Sequence, residues 1–280
     1  MHWPEAEVTF SMKTIPDGSH QLSPVELRLD AAAATHVGQV RHANEDVYGV
    51  YPDERLFVVA DGMGGRAAGE IAARLAVDVL ADFCRENRTT AVETWPFPFD
   101  ARHSLAVNLL RVGLKVANQR IRDEARRDPA WYRMGATIAA LTFDEDYLVA
   151  AHAGDVRIYR FRQGAAARLT RDHSIHEELR AAQAVISPED MAAFGNRNII
   201  TRALGSRPDL DPTVYLNSYS DGDVYLLCSD GLWSCLPDDA ITSIVLGMPD
   251  LEAACHALIE SANGMGAPDN VTVLLLRVHR

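Results

Sequence analysis

An apolar run that ends on an acid and then breaks into glycines constrains the chain more than any other feature. In Phe57-Val58-Val59-Ala60-Asp61-Gly62-Met63-Gly64-Gly65, the apolar residues suit a buried strand, and the acid at its end is carried to the rim of a core. The glycines let the backbone turn sharply and approach a ligand closely. The pattern returns at Tyr225-Leu226-Leu227-Cys228-Ser229-Asp230-Gly231. A third acid, Asp269, stands with Asn270 just before the apolar run Val271-Thr272-Val273-Leu274-Leu275-Leu276. Strands of this kind can deliver several carboxylates to one place.

The rest of the chain tells which architecture holds those strands. Ile71, Ala72, Leu75, Ala76, Val79, Leu80 and Phe83 have helical spacing, which predicts a helix over 67–84. A second long helix is expected over 101–127, after a loop at 89–100 that contains Pro96 and Pro98. Short apolar runs follow at 137–143, 147–152 and 156–161, separated by Asp144-Glu145-Asp146 and Gly154-Asp155, which is the signal of an antiparallel meander. Residues 174–200 are polar and alanine-rich, with a short helical turn opening at Ser187-Pro188-Glu189-Asp190, and read as an excursion from the sheet. Strands are expected at 31–38, 213–219, 223–228 and 271–278, and helices at 237–246 and 251–262. Helices in two groups and about ten strands fit sheet-on-sheet layers covered by helices. The fold class is therefore α+β: a four-layer α-β-β-α sandwich of two antiparallel sheets flanked by helices. No composition break marks a linker after about residue 28, so 1–28 is read as an N-terminal tail or extension and 29–280 as one domain.

Charge narrows the function classes. A formal net charge of −12 lacks the basic footprint of a sequence-independent nucleic-acid binder and disfavours docking on anionic membrane. No apolar run reaches the length of a membrane span, and the first residues lack a signal-peptide pattern, so the expected location is the cytoplasm. The cysteines at 84, 228, 235 and 255 form no CxxC pair and are expected to be free thiols.

Two chemistries compete for the organising stretch. Gly62-Met63-Gly64-Gly65-Arg66-Ala67 matches G-x-G-x-x-A, the dinucleotide fingerprint. Asp61 would repel a pyrophosphate there, and the chain shows meanders where that fold needs alternating βαβ units. The other reading is a cation site. Asp61, Asp155, Asp230 and Asp269 each stand at a strand end or a tight turn. Carboxylates with backbone carbonyl and water suit Mg²⁺ or Mn²⁺, and two such ions can clamp a phosphate and activate a water. Taken singly, each of these acids also serves as an ordinary turn former.

The motifs, taken in order, resemble the metal-dependent protein phosphatases, the type 2C serine/threonine phosphatases. The resemblance runs from about residue 33 to 278. It is carried by Thr35-His36-Val37-Gly38-Gln39-Val40-Arg41 with Asn44-Glu45-Asp46, by Val59 to Gly65, by Gly135-Ala136-Thr137 and by Ala153 to Arg160. Thr170-Arg171-Asp172-His173-Ser174, Ile200 to Gly205, Cys228 to Leu232 and Asp269 to Val273 complete the series. Met63 after Asp-Gly makes it similar to the bacterial branch.

The resemblance implies roles. Asp61 would bridge two metal ions, Mn²⁺ or Mg²⁺, and the Gly62 carbonyl would bind one of them. Asp230 and Asp269 would complete the pair, and Asp155 with Asp230 would form a third, weaker site. Arg41 would hold the substrate phosphate, while Glu45 and Asp46 would orient metal-bound waters. Residues 174–200 would be the flap that influences substrate choice. The implied reaction is hydrolysis of phosphoserine and phosphothreonine on proteins, by in-line attack of a metal-activated water. The expected enzyme is a monomer opposing a Ser/Thr kinase, one candidate being a kinase that controls a secretion apparatus. Arg157, Asp172 and His173 are read as scaffold.

The chain departs from the family pattern in places. Animal members carry a histidine, proposed as general acid, where this chain has Met63, and a thioether donates no proton. The leaving oxygen must then be protonated otherwise, a metal-bound water being one source. Arg66 stands where some bacterial relatives have histidine, and it either favours acidic or multiply phosphorylated substrates or is simply solvated. Ala184 replaces a common flap glycine, which would stiffen the segment. The rival reading is a catalytically silent module on the same fold. The full set of acids favours an enzyme.

Overall fold

The computed structural model describes residues 27–65, 68–88, 94–145, 147–181 and 199–280. Arg66, Ala184, the turn at 187–190, residues 1–26 and residues 89–93 of the loop before the second helix lie outside the described residues. Two five-stranded antiparallel sheets form the centre. The first has the order β1 (Arg28–His36), β10 (Val271–His279), β9 (Val224–Cys228), β6 (Arg157–Arg162), β7 (Ala165–Arg168). The second has the order β2 (Asp46–Tyr51), β3 (Leu56–Met63), β4 (Gly135–Phe143), β5 (Tyr147–Ala153), β8 (Thr213–Ser218).

Helices α1 (Ala68–Asn87) and α2 (Leu105–Arg127) cover the outer face of the second sheet. Helices α5 (Asp238–Gly247) and α6 (Leu251–Gly264) cover the outer face of the first. Two shorter helices, α3 (Ile175–Ala181) and α4 (Asp230–Trp233), lie in connections. The four layers expected from the sequence are therefore present.

Strand alternation sorts the core into three slabs. On β3, Leu56, Val58 and Ala60 pack under α1 and α2, whereas Phe57 and Val59 face the other sheet. On β10, Val271, Val273 and Leu275 pack under α6, and Leu274 and Leu276 face inward. Tyr225 and Leu227 of β9 join them. A buried side chain of this size contributes about 1.5–3 kcal/mol, and a one-residue register slip would exchange the two faces of a strand. Register is thus fixed by burial on both faces of β3 and β10.

Some boundaries differ from expectation. β1 starts at Arg28 and not at Ala31, because its ladder with β10 runs on to the pair Arg28–His279. Helix α2 starts at Leu105 and not at Ala101: the Ser104 side chain accepts a hydrogen bond from the Val107 N–H at 3.3 Å, which caps the helix there. Asn108 donates to the carbonyls of Asp100, His103 and Ser104 and so holds the preceding turn. All four cysteines are free, three of them buried.

Candidate metal centre

The inward faces of the two sheets change from apolar to polar in a single step at one end. After Phe57 and Val59, the next inward residue on β3 is Asp61. Its partner across the β2–β3 ladder is Asp46, and its partner across β3–β4 is Thr137. On the other sheet the inward series Leu276, Leu274 continues to Thr272, which pairs with Thr35 of β1 and accepts the Thr35 hydroxyl or donates to it at 2.7 Å. Ser229, one residue beyond β9, completes the row. Its hydroxyl donates to Asp46 Oδ2 at 2.7 Å and so joins the two sheets. The Thr272 N–H in turn donates to Ser229 Oγ at 2.9 Å.

Acids from three further loops close on this rim. Asp155 follows the turn after β5 and is buried. Gly154 precedes it at φ +113, a conformation that favours glycine, and a Cβ there would collide with the Thr137 side chain. The Asp155 carbonyl accepts from Trp233 Nε1 at 3.1 Å. Asp230 opens α4 immediately after Ser229. Gly231 follows because the Asn270 carbonyl occupies the space a Cβ would need. Asp269 precedes β10 and accepts from Arg41 Nη2 at 2.6 Å, so the residue expected on substrate phosphate is seen ion-paired to an expected metal ligand.

Electrostatics mark these groups as a set. Burial is the first cause of the rise in every case. It pushes Asp46 up to about 6, against the lowering effect of the Ser229 and Thr272 side chains. Asp155 is pushed up to about 6 by burial and then by the charge of Asp172. Asp230 is pushed up to about 8 by burial, then by Asp155, Asp269 and Asp46. Asp61 is raised well above the carboxylate range by burial and by the charges of Asp46, Asp230, Asp155 and Asp269. Burial also raises Glu45. The fields of all these acids overlap, and Arg41 is the cation that lowers Asp230 and Glu45.

Such a rim fits a divalent cation. Asp46 Oδ1 is buried with no hydrogen-bond partner, an acceptor left without a donor. Carboxylates crowded into one another's field are stabilised by an added positive charge. No three Asp, Glu, His or Cys side chains among the described residues close into a single ligand cage. Hard oxygen-seeking ions that keep several waters, Mg²⁺ above all, are bound through one or two carboxylates each, which is what an open rim of this kind offers.

In the sequence Asn270 is only the neighbour of Asp269, yet in the fold it holds the rim together. Its Oδ1 accepts from the Glu45 N–H at 2.8 Å, and its Nδ2 donates to the Val37 and Ala43 carbonyls, each at 2.9 Å. The loop that carries Arg41, Glu45 and Asp46 is thereby tied to Asp269. Glu45 also accepts from the Gly62 N–H at 3.2 Å, and Gly62 is glycine because the Gly69 carbonyl of α1 fills its Cβ position. Ser229, Thr272 and Asn270 were legible only as neighbours of acids, since small polar residues at strand ends are ordinary.

Arg157 and Asp172 form a bidentate pair, 2.7 Å at the shortest, with the Arg157 guanidinium 3.7 Å from the Trp233 ring centroid. His173 stacks on His152 at 4.3 Å and accepts from the Gly154 N–H at 3.1 Å. Burial lowers His173 to about 3, so it is neutral and structural.

The chain is similar to known proteins over most of its length. The family model described as protein phosphatase 2C matches residues 35–244. The serine/threonine phosphatase Stp of Listeria welshimeri is 33% identical over 258 residues, which is 89% of this chain and 95% of that protein. The solved structure of PppA, described as a key regulatory component of the T6SS in Pseudomonas aeruginosa, has 34% identity and a TM-score of 0.73, covering 89% of this chain and 97% of that one. The serine/threonine phosphatase PstP of Mycobacterium tuberculosis has 32% identity and a TM-score of 0.76, covering 90% and 99%. A structure of the PstP catalytic domain in complex with two manganese ions is similar over 91% of this chain and 100% of that one, at 32% identity and a TM-score of 0.75.

Proposed function

The chain belongs to the protein phosphatase 2C family, and from that membership we propose that it hydrolyses phosphoserine and phosphothreonine esters on proteins with Mn²⁺ or Mg²⁺ at the acidic rim. The observation that carries the reading is the rim itself: Asp46, Asp61, Asp155, Asp230 and Asp269 gathered at the polar end of the sandwich, each of the first four with its pKa raised. The related PstP catalytic domain is described with two manganese ions.

In this reading Asp61 and the Gly62 carbonyl hold the ions together with Asp230 and Asp269, and Asp155 with Asp230 offers a third site. When bound, such ions supply Lewis acidity toward the phosphate ester and toward a water. The protein's own groups do the rest. Arg41 leaves Asp269 and takes the phosphate, to which its planar fork is matched. Asp46, fixed by Ser229 through one oxygen, keeps Oδ1 free to accept from a water, and the neighbouring Glu45 carboxylate would do the same. Met63 has no proton to give, so the leaving oxygen is protonated from solvent within the rim.

The proposed partners are phosphorylated Ser/Thr proteins, in particular a cognate kinase or its targets. PppA's description as a T6SS component is consistent with a kinase that controls a secretion apparatus. We take the enzyme to act as a monomer in the cytoplasm. No helix among the described residues is long and apolar enough to cross a membrane. The test is hydrolysis of para-nitrophenyl phosphate and a phosphothreonine peptide with Mn²⁺, before and after EDTA. Turnover that needs the metal and stops with EDTA is expected. A folded protein that binds Mn²⁺ and hydrolyses neither would be a silent module.

A further inference from the structure

Next to Met63, where β3 leaves the sheet, a cavity of about 430 Å³ opens between the second half of α2, the turn before β4 and the Gly205-Ser206 corner. Its charged lining has one sign: Arg122, Arg126 and Arg133, with no acid among the lining residues. This is unexpected in a chain whose formal net charge is −12.

The acids nearby are already engaged. Asp123 pairs with Arg126 at 2.9 Å, and Glu124 pairs with Arg120 and Arg127. Arg122 forms no ion pair among the described residues, and its Nε is buried with no hydrogen-bond partner. Arg133 is exposed, in a left-handed backbone conformation at φ 65, with its guanidinium 6.0 Å from the Tyr132 ring centroid. Of the three guanidinium groups on the cavity only Arg126 has a carboxylate partner among the described residues, Asp123; the excess positive charge is self-repelling, and an anion relieves that. Their fork geometry suits carboxylate and phosphate oxygens.

Position supplies the rest of the argument. Met63 lies two residues beyond Asp61, about 7 Å along a strand, and its register partner Gly135 lines the same cavity. An extended peptide whose phosphorylated residue sits at Asp61 reaches the cavity with a side chain about two to four residues away.

We propose that this cavity binds an anionic side chain of the substrate protein, a carboxylate or a second phosphate, close in sequence to the phosphoresidue that is hydrolysed. The proposal rests on the phosphatase reading of the acidic rim. It assigns substrate selection to α2 and the turn before β4, apart from the flap.

The test compares kcat/KM for a neutral phosphothreonine peptide with peptides carrying glutamate, or phosphoserine, at about two to four positions on either side. The wild type is expected to prefer one acidic series by about tenfold, the value of one good charge-assisted contact. In R126Q/R133Q, two exposed positions, and in R122Q, the ratio of acidic to neutral peptide falls toward unity. Each variant's own neutral-peptide rate reports that it has folded. If glutamate and phosphoserine act alike, charge alone is read; if phosphoserine alone is preferred, the occupant is a second phosphate. A wild type that hydrolyses the neutral peptide without preference, or variants that keep the preference, would overturn the proposal and leave the phosphatase reading intact. If nothing is hydrolysed, the phosphatase reading fails, and titration of the unphosphorylated acidic peptide decides. Equal binding to wild type and R126Q/R133Q then overturns the cavity as well.

Discussion

Replacing Asp230 by asparagine should stabilise the metal-free protein while abolishing its turnover. Asp230 is pushed from an ordinary 3.8 up to about 8 by burial and by Asp155, Asp269 and Asp46. The folded state therefore holds a proton that the unfolded state has released, and between those two values stability falls as pH rises. A shift of about four units at 1.36 kcal/mol each sets a ceiling of about 5 kcal/mol on the penalty at about pH 8. Asp230 keeps some solvent contact, and its neighbours share the proton, so about 2 kcal/mol is the expected gain from D230N. For a domain of this size that is a rise in Tm of about 4–8 °C. Thermal unfolding in EDTA should show the gain at about pH 8 and its decline toward about pH 5, where Asp230 is protonated in the folded state anyway. Adding Mn²⁺ should reverse the order, since an ion at about 100 times its Kd stabilises the wild type by about 2.7 kcal/mol. A D230N protein less stable than wild type in EDTA at the higher pH would refute the claim that these carboxylates strain one another.

Two other substitutions probe the scaffold under the rim. Asn270→Ala strands the Glu45 N–H and the Val37 and Ala43 carbonyls, and should cost about 2–4 kcal/mol in urea unfolding, with weaker Mn²⁺ binding because Asp269 and the 37–45 loop are no longer tied; an unchanged midpoint would contradict the assignment. Gly231→Ala drives a Cβ into the Asn270 carbonyl and should cost about 3 kcal/mol, whereas a loss near zero would mean that this corner is looser than it looks.

The acids at strand ends were legible because burial writes alternation into a sequence. Phe57, Val59 and Asp61 share a parity, so an inward acid at the rim follows once 57 and 59 are known to be buried. What could not be read was which strands stand opposite each other. Asp46 faces Asp61 only through the β2–β3 register, and Ser229 reaches Asp46 only because the two sheets stack. Long-range partners leave no local trace.

Helix ends and weak strands were missed for different reasons. Ser104 ends the reach of α2 because a side-chain cap outweighs the helical propensity of the residues before it. β7 went unread because Ala165-Ala166-Ala167-Arg168 has little strand propensity of its own. It forms because Gln163 and Gly164, at φ 51 and 79, make a tight hairpin that lays it beside β6. The arginine cavity was invisible for the same reason as the rim's hydrogen bonds: its residues come from α2, the following turn and β3.

The central claim is that the polar end of the sandwich is a divalent-cation site organised on Asp61. Titration of Mn²⁺ into the EDTA-stripped protein, followed by calorimetry for wild type and Asp61→Asn, tests it most directly. The account predicts about two tight ions per wild-type chain, proton release on binding, and loss of the tight sites in the variant with the fold intact. Wild type that binds no Mn²⁺, or an Asp61→Asn protein that binds it equally well, would contradict it.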